Sequence, residues 1–336
     1  MTHVLPSGKR KIFGLFLLFL IFIGAVLASI VFGVMDISWK SAIEAYTQFH
    51  GTNEQIVIRE ARVPRALIAA AVGASLGIAG ALLQAMTKNP LADLSIFGIN
   101  SGASFFVVVA VSLFSVSSLT QFTWIAFVGA ALSGMAVYFL GSIGKDGLSP
   151  VKLTLAGAAM TALFSSLTHG LLAANEKTLE EVLFWLAGSV AGRKLEMLWT
   201  VLPYMIVAWL LALVIAGPIN LLMMGEDVAK GLGQRTLLVK IATGLLIVLQ
   251  AGSSVAVAGP IGFVGLVIPH IARFLVGIDT RWVVAYSGLL GAVLLLGADV
   301  SARLIAMPKE MPLSVMTALI GTPFFLYAAR KGLARS

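Results

Sequence analysis

The sequence predicts an all-α polytopic membrane protein of about ten transmembrane helices, and its composition is the first support for this fold class. Of the 336 residues, 59% are hydrophobic and only 11% are charged, and the mean hydropathy is +0.99. A soluble globular domain carries about 25% charged residues, and disorder requires low hydrophobicity, so both classes are excluded. The sequence contains no cysteine, which excludes a disulfide framework and a thiolate metal site.

Hydrophobic stretches long enough to cross a bilayer are the second observation, since a spanning helix needs about 20 mostly apolar residues. The predicted spans are residues 12–34, 66–86, 95–116, 122–144, 151–174, 198–216, 237–258, 261–278, 282–300 and 312–328. The piece 182–191 is too short to cross and is interpreted as a short interfacial or re-entrant helix. No Pro/Ser-rich linker divides the chain, so residues 1–336 are predicted to form a single transmembrane domain.

The distribution of charge is the third observation. The first span follows three basic residues, as in a signal peptide, but it is too long and lacks a cleavage site, so it is retained as a membrane helix. Ten crossings from a cytoplasmic N-terminus place both termini in the cytoplasm. This layout puts 14 of the 23 Lys and Arg residues inside, in agreement with the positive-inside rule. The basic excess therefore indicates orientation, and no nucleic-acid partner is expected.

The segment Arg62-Val63-Pro64-Arg65 stands just before the second span. Pro64 suits the first turn of a helix, where its missing N–H is no loss. The two arginines would present fixed charges at the outer surface, able to form forked bonds with carboxylates. The alternative is that they snorkel at the membrane interface, and Arg59 is assigned to that class.

A polar amide and a helix break follow in the second span and after it. Gln84 lies inside the span, where it forms an interhelical hydrogen bond or lines a pathway. The step Asn89-Pro90 forces a break before the next span. Asp93 is placed to cap the helix that follows.

The longest inner loop, 217–235, is predicted to contain a short amphipathic helix. Acidic Glu226 and Asp227 at its start and Gly233 at its end fit the helix dipole and a glycine stop. Its apolar face would consist of Leu221, Leu222, Met223, Met224, Val228 and Leu232. Such a helix either lies on the membrane or inserts into a groove of a soluble partner.

The eighth span has the composition of a broken helix. Gly259-Pro260 and Pro269 interrupt it, and broken helices persist at membrane depth only where protein or a cavity satisfies the backbone. His270 is either a hydrogen-bonded packing residue or a proton relay. In the ninth span, Asp299 and Arg303 have the spacing of an i, i+4 salt bridge.

Several catalytic and coupling motifs do not occur in the sequence. It contains no G-x-x-x-x-G-K-[ST] pattern, so we do not expect this chain to bind ATP through a P-loop. Neither H-E-x-x-H nor G-x-S-x-G occurs. Acidic residues deep in the spans are nearly absent, which argues against a carrier coupled to protons or sodium through intramembrane carboxylates.

Taken in order, these motifs resemble those of the permease subunits of ABC importers for ferric siderophores, haem and cobalamin, which have the type II import fold. The matching segments are RVPR at 62–65, GASLGIAGALLQ at 73–84, NPLAD at 89–93, FWLAGS at 184–189, GEDVAKGLG at 225–233, GPIGFVGLVIPHIAR at 259–273, GADVSAR at 297–303 and EMPLSVMTALIGTPFF at 310–325. Leu94 and Thr322 depart from residues common in that family.

The resemblance implies an assembly in the cytoplasmic membrane of a bacterium. A second permease subunit, identical or paralogous, would enclose a pathway with this one, a pair of ATPase subunits would dock inside, and a substrate-binding protein would dock outside. ATP and magnesium would bind the ATPases, and no cofactor or metal would bind this chain. The residues matching the ATPase-docking coupling helix are Gly225, Glu226, Asp227, Val228, Ala229, Leu232 and Gly233. Arg62, Arg65 and Arg303 match outer-surface arginines that receive acidic residues of the binding protein.

The function expected from the resemblance is ATP-driven import of an iron–siderophore complex by alternating access, with no enzymatic site on this chain. Haem and cobalamin are the alternative cargoes. An ATP-independent secondary transporter is the rival from another class, and a membrane-embedded enzyme would need a clustered nucleophile or metal set that the sequence does not offer.

Overall fold

The computed structural model describes residues 4–33, 35, 37–143, 150–305, 307 and 310–333. Every regular element in these ranges is helical. The α-helices are α1 (Gly8–Val31), α2 (Trp39–Thr47), α3 (Asn53–Val57), α4 (Val63–Thr87), α5 (Ile99–Phe114), α6 (Leu119–Ser142), α7 (Pro150–Ala174), α8 (Glu176–Leu186), α9 (Leu195–Met224), α10 (Glu226–Gly231), α11 (Thr236–Ala258), α12 (Val264–Val276), α13 (Thr280–Ile305) and α14 (Leu313–Leu333). A π-helical turn, Ile58–Arg62, joins α3 to α4, and a 3-10 turn, Leu94–Phe97, precedes α5.

Each predicted span coincides with a helix in the part of the chain that the structure describes. Within the described ranges, seven helical stretches are long and apolar enough to cross a membrane, and they correspond to α1, α3–α4, α6, α7, α9, α11 and α13. The shorter apolar helices α5, α12 and α14 account for the other three predicted spans. The all-α polytopic fold class is therefore confirmed. Residues 34 and 144, which end two predicted spans, and Lys145 and Arg335 of the charge count lie outside the described residues.

The centre of the bundle is α4, which packs against α11, α12 and α13. Small residues allow its backbone to touch that of α13. A Cβ added to Gly73 would lie 2.3 Å from the carbonyl oxygen of Gly291, and one added to Gly291 would lie 2.1 Å from that of Gly73. Membrane helices associate through such close faces because lipid provides no hydrophobic drive between them.

The segment between α11 and α12 is a break at depth in the bundle, as the sequence predicted. Residues 259–263 are not helical, and α12 has 13 residues, so it is only about 20 Å long. Gly259 adopts a φ of +74°, and a Cβ there would lie 2.3 Å from the carbonyl oxygen of Trp185. The loop after α8 covers this break, since the Ser189 amide donates to the Ala258 carbonyl at 2.8 Å.

Two predicted boundaries were wrong. The short helix placed at 182–191 is α8, which ends at Leu186, because residues 187–194 leave the helix to hydrogen-bond to α11 and to the start of α14. The loop placed at 217–235 is helical as far as Met224, although Pro218 lies inside α9. This extension of α9 is held by the turn before α13, where Asn220 Nδ2 donates to Asp279 Oδ1 at 2.7 Å.

Helices α2 and α3 were missed, since the sequence analysis assigned no structure between the first two spans. Each begins at a hydroxyl N-cap: Ser38 Oγ accepts from the Ser41 amide at 3.0 Å, and Thr52 Oγ1 accepts from the Gln55 amide at 3.4 Å. N-cap residues of this kind are a readable sequence signal. Both helices are too short to register in a search for 20-residue apolar stretches.

Candidate functional site

An arginine-rich cavity opens at the end of the bundle where α1 and α13 finish and α4 begins. It has a volume of about 150 Å³ and is lined by Gly33, Met35, Val57, Ala61, Arg62, Arg65, Arg303 and Glu310. We refer to it as the arginine pocket. Among the described residues, the three arginines meet the carboxylates of Asp299 and Glu310 here.

Arg65 joins three elements of this pocket. Its Nε donates to Asp299 Oδ1 at 2.8 Å, and its Nη1 donates to Glu310 Oε2 at 2.7 Å. Asp299 lies on α13, and Glu310 lies just before α14. The Asp299 side chain is 1% exposed, whereas that of Glu310 is 36% exposed, so one partner is sealed inside and the other faces the cavity.

Arg303 uses all of its N–H donors within the chain. Its Nη2 donates to Asp299 Oδ2, forming the predicted i, i+4 pair, and to Ser29 Oγ at 2.7 Å. Its Nη1 donates to the carbonyls of Ser29 and Phe32, and its Nε donates to that of Asp299. A guanidinium has five N–H groups, and each therefore has an internal acceptor.

Arg62 is 6% exposed and points back towards the end of α1. Its guanidinium donates to the carbonyl oxygens of Ile30, Val31 and Met35. The last carbonyls of a helix have no intrahelical partner, and Arg62 satisfies them. The expectation that the arginines present outward-facing charges was wrong for the structure as it stands, because carbonyls and carboxylates inside the chain hold all three buried.

The opposite end of the bundle carries α10, the predicted coupling helix, between α9 and α11. Glu226 anchors it: Lys240 Nζ lies 2.6 Å from Glu226 Oε2, Lys230 Nζ lies 3.1 Å from Oε1, and the Thr236 hydroxyl lies 3.3 Å from Oε1. The hydrogen bond from Lys240, with the further positive charge of Lys230, lowers the pKa of Glu226 from 4.5 to about 2. Glu226 therefore serves first to fasten α10 to α11.

The remaining predicted coupling residues divide by exposure. Ala229 is fully buried against the bundle, whereas Asp227, Val228 and Leu232 are exposed. The apolar surface continues along Met224, which is 69% exposed. Gly225 and Gly233 flank the helix. This end thus presents a small apolar surface with an acidic group beside it, which we call the α10 surface.

The base of the α10 surface is tied to the turn that begins α13. Asn220 Nδ2 donates to Asp279 Oδ1 at 2.7 Å, and the Thr280 amide donates back to Asn220 Oδ1 at 2.8 Å. Gln234 Nε2 donates to the Pro218 carbonyl at 2.9 Å. Since Asp299 and Arg303 lie near the far end of α13, one helix of 26 residues runs from the base of the α10 surface to the arginine pocket.

A polar cluster lies beside the break, where Gln84 joins α4 to α12. Its Nε2 donates to the carbonyls of Ala92, Gly265 and Leu266 at 3.1–3.2 Å, and its Oε1 accepts from Arg273. Gln84 is 3% exposed and has the geometry of a helix-packing residue. It also borders a cavity of about 220 Å³ lined by Ala81, Gln84, Ala85, Lys88, Pro90, Met223, Arg273, Ile278, Thr280 and Val283.

The other predicted pathway residues have structural contacts of their own. Asn89 Oδ1 accepts from the Leu91 amide at 2.9 Å, which shapes the turn around Pro90. The His270 ring packs edge-on against Phe324 of α14 with a centroid distance of 5.2 Å, and Pro269 is buried in α12 beside it. Among the described residues, no group of three His, Asp or Glu side chains is placed to hold a metal ion.

Sequence reasoning missed the partners of the charged residues. Glu310 and Ser29 in the arginine pocket, and Lys240 and Asp279 near α10, were not singled out. Each is distant in sequence from the group it binds, except Lys240, which follows Glu226 by 14 positions. Glu310 does begin a segment that matches the importer permeases, and this match was a sequence feature that could have identified it as a site residue.

The chain is similar to curated proteins over nearly its whole length. YfiZ of Bacillus subtilis, named as a probable siderophore transport system permease protein, is 54% identical over 329 residues, which cover 98% of this chain and 99% of YfiZ. The Fe(3+)-citrate import system permease protein YfmD of B. subtilis is 44% identical over 97% of this chain and 98% of its own. The ferric enterobactin transport system permease protein FepD of Escherichia coli is 39% identical over 94% of each chain.

A solved structure described as an inward-facing conformation of a metal-chelate type ABC transporter superposes with a TM-score of 0.83 at 30% sequence identity. The match covers 94% of this chain and 98% of that one. The sequence profile of the FecCD transport family matches residues 18–331. The resemblance found in the sequence is thus confirmed, and the chain belongs to the FecCD transport family.

Proposed function

We propose that residues 1–336 form one permease domain that carries an iron–siderophore complex across the bacterial cytoplasmic membrane as part of an ATP-driven importer. The observation that carries this proposal is the 54% identity with a siderophore permease across 98% of the chain. Relatives named for ferric citrate and ferric enterobactin support an iron chelate as the cargo. Haem and cobalamin are the alternative cargoes.

In this proposal the α10 surface docks on a separate ATPase subunit, which binds ATP and magnesium. Val228 and Leu232 are 46% and 65% exposed although apolar, and an exposed apolar face on a short helix suits insertion into a groove. Glu226 and Ala229 hold the helix in position, and Asp227 supplies a charge at its rim. Gly225 and Gly233 bound the docking segment. ATP-driven closure of the ATPases would move this segment and open the pathway alternately to each side.

The arginine pocket is proposed to receive acidic side chains of an extracytoplasmic binding protein. The three arginines gathered around the cavity support this role, since guanidinium groups form forked hydrogen bonds with carboxylates and complementary charge orients protein association. Arg65 is the best placed for direct contact because it borders the cavity beside Glu310. Arg62 and Arg303 are proposed to complete the docking site, with their present carbonyl and carboxylate contacts setting its shape. A second permease subunit, identical or paralogous, would complete the pathway, and both termini would lie in the cytoplasm.

Copurification and reconstituted transport test the proposal together. The tagged chain, extracted in mild detergent, should bring a P-loop ATPase with it, and proteoliposomes should accumulate ferric siderophore only with ATP and the binding protein. Val228→Glu should abolish ATPase capture, since it places a charge on the apolar part of the α10 surface, where Val228 is 46% exposed. Lys40→Glu, at the other end of the bundle, is the matched control and should leave capture intact.

The alternative function, an ATP-independent secondary transporter, predicts the opposite results. The chain alone would then move ferric siderophore in liposomes without ATP, and Val228→Glu would leave transport unchanged. Recovery of the chain without an ATPase, combined with such transport, would overturn the importer proposal.

A further inference from the structure

Helix α2 leaves an apolar surface uncovered beside the arginine pocket. Trp39, Ile43 and Tyr46 are 53%, 64% and 56% exposed. At about 100° per residue these three side chains fall within roughly 60° of one another around the helix axis. Phe49, 48% exposed, follows the helix and extends the same apolar surface.

The other sides of α2 differ in character. Ala45 is fully buried and packs with Ile37 and Ile58 in a small apolar cluster. The polar side carries Lys40, whose side chain is 84% exposed and which pairs with Glu44 at 3.6 Å. The helix thus has one face on the protein, one polar face and one largely exposed apolar face, where Arg59 stacks on Tyr46.

We infer that α2 lies in the membrane–water interface at the pocket end of the bundle, with Trp39, Ile43 and Tyr46 in the lipid and Lys40 towards water. Helices with an apolar face and a charged face lie in the plane of this interface, and Trp and Tyr are enriched there. The inference concerns this chain and the bilayer alone, so it holds whatever the cargo.

The depth of α2 in the bundle agrees with this position. Helix α1 has 24 residues and is therefore about 36 Å long, against a hydrocarbon core of about 30 Å. Its last turn must accordingly reach the edge of the hydrocarbon. Ile30, in that last turn, packs against the same cluster that buries Ala45 of α2, so α2 lies at the level of this edge.

The exposed apolar side chains of α1, the helix that precedes α2, support the same position. Along α1, Phe16, Leu20 and Leu27 are 59%, 48% and 44% exposed, and only 17% of its spanning window is buried in the chain. Phe32, 54% exposed, follows α1 in the sequence and precedes Trp39. An exposed apolar α1 leading into α2 favours lipid over a separate protein partner.

The position of α2 bears on the arginine pocket through the π-helical turn. Arg59 of this turn stacks on Phe49 and Tyr46, with its Cζ 4.4 Å and 5.2 Å from the two ring centroids. Gln55 fastens the chain after α2, since its Nε2 donates to the Gln48 carbonyl at 3.2 Å and its Oε1 accepts from the His50 amide at 2.7 Å. Arg62 lies one turn after Arg59, so an α2 held by lipid braces the segment that carries Arg62.

The sequence has no cysteine, so a single introduced cysteine carries a spin label at one site. Ile43→Cys, Lys40→Cys and Phe16→Cys would each be labelled in the full chain, reconstituted in phospholipid vesicles. Collision with oxygen, which concentrates in lipid, is then compared with collision with a water-soluble nickel chelate. We expect the labels at 43 and 16 to favour oxygen and the label at 40 to favour the nickel chelate.

Two results would overturn the inference. A label at 43 that is as accessible to the nickel chelate as the label at 40 would show that this face lies in water. A label at 43 that is shielded from both reagents would show that a protein surface covers it, either a second copy or an added binding protein. Neither result bears on ATP-dependent transport, so failure here is distinguishable from failure of the proposed function.

A separate measurement tests whether Arg59 fastens α2 to the π-helical turn. In the spin-labelled Ile43→Cys chain, Arg59→Gln removes the cation that stacks on Tyr46 and Phe49 and should release α2 from the π-helical turn. The label would then be more mobile, and the lines of its electron paramagnetic resonance spectrum should narrow. Lys40→Gln in the same background breaks only an exposed pair and should leave the line unchanged. Equal line shapes in the two variants would show that Arg59 does not fasten α2.

Discussion

Arg65 on α4 and Asp299 on α13 lie 234 positions apart in the sequence, and their side chains meet with an Nε–Oδ1 distance of 2.8 Å. Asp299 also binds Arg303, so one buried carboxylate compensates two guanidinium groups. Removing one partner of a buried pair leaves an uncompensated charge, which is costlier than the pair itself is stabilising.

Asp299→Asn should therefore destabilise the protein strongly. The expected loss is about 3–5 kcal/mol, as for other broken buried pairs, and it should appear as a large fall in the apparent melting temperature in detergent. Glu310→Gln is the comparison, because this pair is only partly buried, with the Glu310 side chain 36% exposed, so a smaller loss is expected than for Asp299→Asn. Equal shifts in the two variants would contradict the internal role assigned to Asp299.

Glu310→Gln has a second expected effect, on association. The substitution removes a negative charge from the rim of the arginine pocket, so a binding protein that docks through carboxylates should bind more tightly, and more so at low salt. Titration of the reconstituted chain with the binding protein measures this affinity. Weaker binding by the Gln variant would contradict the proposed use of the pocket.

The contact between α4 and α13 predicts a sharp difference between two glycines of α13. Gly291→Ala puts a methyl group about 2.1 Å from the Gly73 carbonyl oxygen. Because a backbone atom cannot move away as a side chain can, overpacking should lower the free energy of unfolding by about 1–3 kcal/mol. Gly297→Ala meets no atom within 4 Å and should be neutral or slightly stabilising, since alanine favours helix. Thermal unfolding of both variants is the measurement, and similar stability would refute the close approach.

The junction between α9 and α13 can be tested by exchanging its two polar residues. Asn220→Asp places a carboxylate against Asp279 and should lower thermal stability and loosen the turn at 279–280. Adding Asp279→Asn restores the hydrogen-bonded pair with the amide and the carboxylate exchanged. The double variant should therefore regain most of the lost thermal stability. Hydrogen exchange of the Thr280 amide, which donates to Asn220 at 2.8 Å, reports the junction directly. Failure of the double variant to recover would show that the pair is incidental.

The anchoring of α10 should depend on pH. The pKa of Glu226 is lowered from 4.5 to about 2 in the folded chain, so the carboxylate binds protons more weakly when folded. Its contribution to stability is therefore fully present above pH 4.5 and is lost as the pH falls through about 2. Hydrogen exchange of residues 226–231, corrected for intrinsic rates, should show protection declining over that range. Glu226→Gln should abolish the decline, and a pH-dependent decline in this variant would assign the effect to another group.

Composition, hydropathy and the distribution of charge predicted the fold class and the ten apolar stretches, because spanning a bilayer requires a run of apolar residues that is local in sequence. The same locality explains the broken segment at 259–263 and the i, i+4 pair of Asp299 and Arg303. The α10 helix was recognisable because its acidic start, glycine stop and apolar residues all lie within a few positions. These features can be recognised from the sequence without knowledge of the tertiary contacts.

The tertiary structure decided which charges meet and which surfaces stay open. From the sequence, Arg62, Arg65 and Arg303 were expected at the outer surface, whereas partners up to 274 positions away bury them. Glu226 was predicted to lie in the ATPase-docking helix, and the structure adds its ion pair with Lys240, 14 positions later. Helix α2 was missed because a nine-residue helix gains its stability from packing rather than propensity. Local patterns determine whether a segment is helical and apolar, and only the folded chain brings distant polar groups within hydrogen-bonding distance.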